Sequence, residues 1–154
     1  MNQTRRVAVK IALDGYEDYR ATVTKLNNAN KLFASELGIL NKQLVANSTD
    51  MNVLKEKHEV LKKAFDNQRE AVGKMADALK IAKDKQSDYA KKFEESEAKV
   101  KAAREALETY KNSSDVSEDK VKELKQALDD ANKELDENRA YLEAANRGVV
   151  DMSI

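Results

Sequence analysis

The sequence predicts an all-α protein: an elongated antiparallel helical coiled coil of three helices, the middle one long, with a short N-terminal β-strand and a candidate C-terminal strand. Three observations carry this expectation. Charged residues make up 36% of the 154 residues, and there is no proline, cysteine or tryptophan, which is the composition of long helices rather than of a compact globule. After Tyr16, apolar residues recur in steps that alternate three and four, the seven-residue period of packed helices. The exception is the opening "VAVKIALDGY", where Val7, Val9, Ile11 and Leu13 alternate with Ala8, Lys10 and Ala12 on a period of two.

The opening segment, residues 1–15, reads as a strand followed by an Asp14-Gly15 turn. The first helix is expected over 16–46. Its seam is Tyr19, Val23, Leu26, Asn30, Phe33, Leu37, Leu40 and Leu44, with Asn30 its interior polar member. "NSTD", Asn47 to Asp50, clusters turn and N-cap residues.

The central helix is expected over 51–111 on one register: Met51, Leu54, His58, Leu61, Phe65, Gln68, Val72, Met75, Leu79, Ala82, Gln86, Tyr89, Phe93, Ser96, Val100, Ala103, Leu107 and Tyr110. "NSSDVSED" breaks the pattern, and Asp115 with Glu118 three residues later predicts a capping box. The third helix, 116–147, carries Val121, Leu124, Leu128, Ala131, Leu135, Asn138, Leu142 and Ala145, with Gly148 as its stop. The tail 148–154, led by Val149 and Val150, reads as a second strand.

The outer helices together nearly match the central one in length. If each folds back at its short loop, both candidate strands meet near Ile81, where Ala71, Ala76, Ala78, Ile81 and Ala82 widen the apolar stripe. A strand needs a partner for its open edge, and Val7, Val9, Ile11 and Leu13 would find one in Val149 and Val150 or in a second copy. The rod would span about 90 Å at 1.5 Å per residue. Antiparallel packing is favoured because Phe65, Tyr89, Phe93 and Tyr110 alternate with Ala82 and Ala103, whereas parallel pairs prefer uniform β-branched and leucine seams.

The charges exclude several functions. Lys+Arg and Asp+Glu both total 28 and are interleaved, which reads as a solvated helix surface and not as the clustered basic face of a nucleic-acid binder. No segment approaches the roughly 20 apolar residues that span a bilayer. Arg5-Arg6 precede an apolar stretch, but Lys10 and Asp14 cut it too short for a signal core. The lack of cysteine removes disulfides, thiolate metal sites and cysteine nucleophiles together.

No catalytic, cofactor or metal site is expected. His58 is the only histidine and falls on the seam, so it reads as a core or interface residue whose protonation would loosen the packing at low pH. Glu94-Glu95 and Asp129-Asp130 are adjacent on helices, so each pair points apart. The glycines are scattered singly and form no phosphate loop. Asn30, Gln68, Gln86 and Asn138 read first as tolerated seam interruptions, and more sharply as amides that select register and partner. Tyr19, Tyr89 and Tyr110 lie on seams, which marks them as packing residues.

The stretch "VAVKIALDGYEDYRATVTKLNNANKLFASELGILNKQL" resembles the N-terminus of tail tape measure proteins of long-tailed phages and prophages, particularly of Gram-positive hosts. "STDMNVLKEKHEVLKKAFDNQREAV" is similar to the same family, and the resemblance covers roughly residues 7–110. Its distinctive part is the strand-turn-helix opening; the rest is generic coiled coil. The resemblance implies a structural virion protein located in the tail, and in the host cytoplasm during assembly, that helps set tail length and templates the tube. It also implies self-association and contact with tail tube or tail assembly proteins, with no nucleic acid, no membrane for this segment, no cofactor and no enzymatic activity. Tape measure proteins run to many hundreds of residues with a membrane-active hydrophobic region, and this chain has neither. It is therefore expected to be an N-terminal fragment or a small paralogue, with the ruler role belonging to the parent protein. The competing expectation is a cellular coiled-coil scaffold or adaptor, which need not carry the opening strand. A membrane- or nucleic-acid-binding helical module ranks third, for want of a polarised basic face.

Overall fold

The computed structural model describes residues 3–13 and 15–153, and of Ala12 and Leu13 the backbone alone. It is all-α: α1 (Gln3–Leu13), α2 (Tyr16–Ala46), α3 (Met51–Lys111) and α4 (Glu118–Met152). There is no strand among the described residues.

The expected N-terminal strand is therefore corrected: Val7, Val9, Ile11 and Leu13 lie on helix α1. Ala8, Lys10, Ala12 and the two arginines are good helix formers, and a helix satisfies its own backbone where a lone strand leaves an open edge. Thr4, Val7, Ala8 and Ile11, three and four residues apart, are half-buried, while Val9 is exposed. The alternation of two was also a helical face. The C-terminal strand is corrected likewise, since Val149 and Val150 continue α4. Gly148 does not stop that helix. It is buried with Ala144, Ala145 and Met152, and the coverage of this small-residue face carries the helix to Met152. Ile154 lies outside the described residues.

The chain divides into two units, Gly15–Lys80 and Met1–Asp14 with Ile81–Ile154, so α3 contributes to both. In the first, Gly15 opens α2 at φ 80°, a left-handed conformation that costs any residue with a Cβ about 1–2 kcal/mol. Asp14, the other half of the expected turn, lies outside the described residues. At the far end of α2, Asn47 Oδ1 accepts from Thr49 N, and Asp50 Oδ1 accepts from Asn52 N at 2.9 Å and Val53 N at 3.2 Å. Asp50 thus caps α3. Across this antiparallel hairpin, Gln68 Nε2 donates to Asn30 Oδ1 at 3.3 Å.

In the second unit, α3 from Ile81 and α4 form another antiparallel hairpin. Gln86 pairs with Asn146, Ser96 with Asn138 and Lys99 with Glu134, one number rising as the other falls. Its turn is tied by Ser117 N donating to Tyr110 Oη at 3.0 Å. The cap of α4 is Ser117, whose side chain accepts from Lys120 N. This corrects the expected Asp115–Glu118 box, because the serine sits three residues before the first free amide it can reach. Helix α1 packs on α4, where Thr4 Oγ1 donates to Glu137 Oε1 at 3.4 Å. Val7, Lys10 and Ile11 also line a groove with Lys85, Asp88, Tyr89 and Lys92 of α3.

Candidate interaction surface

Among the described residues no group of histidine, cysteine or carboxylate side chains could hold a metal ion. No described helix is long and apolar enough to cross a membrane. What distinguishes the chain is which of its seams are covered.

On α2, Leu40 is buried and Val23, Leu26, Phe33, Leu37 and Leu44 are half-buried. On α4, Val121, Leu124, Leu128, Leu135 and Leu142 are half-buried. The second part of α3 has Val100 and Leu107 buried and Tyr89 and Phe93 half-buried. There the Tyr89 and Tyr141 rings meet edge to face, with centroids 5.8 Å apart, and the Arg139 guanidinium lies 5.9 Å from the Phe93 centroid.

The first part of α3 differs. Met75 and Leu79 are half-buried, but Met51, Leu54, Leu61, Phe65 and Val72 are 39–65% exposed. The face that α3 covers in this unit is the adjacent one, where Ala71 is buried and Val53, Val60, Ala64 and Ala78 are half-buried. Small residues there let two helix backbones approach closely, so the bulkier seam is left outward. His58, expected in a core or interface, is exposed on that outward seam. On α2, Leu32, Ile39 and Val45 are also exposed. None of these three belonged to the predicted seam, and the 32-to-39 heptad step was the signal available for two of them.

The seam amides are engaged across helices: Asn30 with Gln68, Gln86 with Asn146, and Asn138 with Ser96. Asn146 and Ser96 were not expected as amide partners. Asn67 stands out in the opposite sense, because its Nδ2 is buried without a hydrogen-bond partner.

The stripe from Met51 to Val72 keeps the three-four step of a helix-docking seam, with His58 and Gln68 filling its polar positions. Chemically it offers apolar area with basic residues beside it: Lys55, Lys62 and Arg69 each follow a seam residue and are exposed. Compared with protein-family models, curated proteins and solved structures, the chain has no match.

Proposed function

We propose that the chain is a structural assembly module that works by coiled-coil packing, and that it is an N-terminal segment of a phage tail tape measure protein. The observation that carries the assembly reading is the three-four stripe on α3, a helix-docking seam whose five large apolar residues are left exposed. The tape measure reading is supported by the resemblance over residues 7–110. In that role the segment resides in the virion tail and in the host cytoplasm during assembly. It associates with copies of itself and with tail tube or tail assembly proteins, and helps its parent protein set tail length and template the tube. Catalysis, cofactor binding, nucleic-acid binding and membrane insertion form no part of the reading.

A second reading, a cellular coiled-coil scaffold or adaptor, gains from one observation. The opening segment is helix α1, so the strand that was to separate a tape measure segment from a plain adaptor is gone. Mass spectrometry of phage particles induced from the source strain and purified by density gradient decides between them. The chain present in purified tails at a fixed ratio to tube subunits supports the first reading. The chain expressed in the cell but absent from particles overturns it in favour of the second.

A further inference from the structure

One helix, α3, carries two kinds of seam. From Ala82 to Lys111 it exposes no large apolar side chain, whereas from Met51 to Val72 it exposes five. These five, with His58 and Gln68, alternate steps of three and four without a break. That is a narrow helix-docking stripe; a helix lying in a lipid interface carries a broad apolar face instead.

The edges of the stripe identify what it takes. On one edge Lys55, Lys62 and Arg69 recur once per heptad, all exposed, and none is in an ion pair among the described residues. The opposite edge holds Lys57, Ala64 and Ala71, with no acidic residue. Glu56, Glu59, Asp66 and Glu70 fall on the remaining heptad positions, off both edges. A second copy would therefore meet like charge. In an antiparallel pair the basic edge faces itself; in a parallel pair Lys62 faces Lys57, Arg69 faces Ala64, and Lys55 faces Asp50, whose carboxylate is already taken up by Asn52 N and Val53 N.

We propose that this stripe is the docking seam for an amphipathic helix of a different protein chain, one whose apolar stripe is flanked by Glu or Asp facing Lys55, Lys62 and Arg69. The proposal rests on the assembly reading above and names the chemistry of its partner. The unit built on α4 already holds the equivalent arrangement, with α1 laid as a third helix on a hairpin.

The test titrates the full chain, by fluorescence anisotropy, with a labelled synthetic helix of about four heptads, leucine on its seam and glutamate at both flanking positions. The counterpart peptide carries lysine in place of glutamate. The glutamate peptide is expected to bind at least about tenfold tighter, and to weaken as salt rises from about 50 to about 500 mM. The Lys62→Glu/Arg69→Glu double variant should invert the preference. Phe65→Lys should abolish binding with the helical circular dichroism unchanged, because Phe65 is exposed. Equal affinity for the two peptides overturns the proposal. So does binding to anionic vesicles without binding to either peptide. A dimer by light scattering that Phe65→Lys dissolves also overturns it, in favour of a second copy, while leaving the assembly reading standing. Absence of peptide binding, vesicle binding and self-association together removes both.

Discussion

Asn138 Nδ2 donates to Ser96 Oγ at 2.6 Å across the α3–α4 hairpin, and Ser96 Oγ donates in turn to the Lys92 carbonyl at 2.6 Å. Ser96 has no exposed surface. The serine is both small enough to let the helices approach and polar enough to satisfy the amide between them. Ser96→Ala leaves Asn138 Nδ2 only the Lys92 carbonyl at 3.5 Å and should cost about 1 kcal/mol. Ser96→Leu must push the helices apart and should cost about 1–3 kcal/mol. Urea unfolding followed at 222 nm measures both, and an equal effect of the two would refute the close-packing account.

Two glycines should respond to alanine with opposite sign. Gly15 sits at φ 80°, so Gly15→Ala is strained and should destabilise by about 1 kcal/mol or more. Gly73 lies inside α3 with nothing within 4 Å of an added Cβ, so Gly73→Ala should stabilise by roughly 0.5–1 kcal/mol. Thermal melts of the two variants beside the wild type check the pair.

Asn67 is a built-in weakness of the α2–α3 hairpin. Its Nδ2 is buried without a partner, and such a donor pays its desolvation with nothing in return. Asn67→Leu should raise the urea midpoint by the equivalent of about 1 kcal/mol. A fall in the midpoint would mean that the amide has a partner in solution.

Alkaline pH should loosen the unit that holds α1. Burial pushes the Tyr141 phenol above its ordinary 10.0, with Glu137 and Tyr89 adding to the effect and a hydrogen bond with Thr4 opposing it. A group whose native pKa is raised stabilises the fold fully below its unfolded value, and that contribution is lost as pH rises through the native value. Stability should therefore fall more steeply above about pH 10 in the wild type than in Tyr141→Phe. The variant should also lack a phase of tyrosine absorbance at 295 nm that lies above about pH 10.

Helical character was legible in the sequence because composition and a seven-residue period both report it directly. The opening was misread because Val7, Val9, Ile11 and Leu13 satisfy a period of two while Thr4, Val7, Ala8 and Ile11 satisfy a helical face. Only a surface to pack on, supplied by α4 from more than a hundred residues away in the chain, separates the two. Gly148 misled for a related reason: a glycine that would end a helix in solvent is accommodated inside α4, where it is buried. The candidate surface was half legible. Met51, Leu54, Leu61, Phe65 and Val72 were visible as a seam, but two apolar stripes lie side by side on this stretch of α3. Periodicity cannot say which one the hairpin buries. Packing chose the stripe of Ala64, Ala71 and Ala78, because small side chains allow the closer approach.

The Met51–Val72 stripe is exposed in the chain by itself, and the proposal is that it closes on an acidic-edged helix. Hydrogen exchange by mass spectrometry on the full chain, with and without saturating glutamate-flanked peptide, tests it most directly. Slower exchange is expected only in residues 51–75 and the adjoining part of α2, with residues 93–135 unchanged. Slowing spread along α4, or none in 51–75 under conditions where the peptide binds, would contradict it.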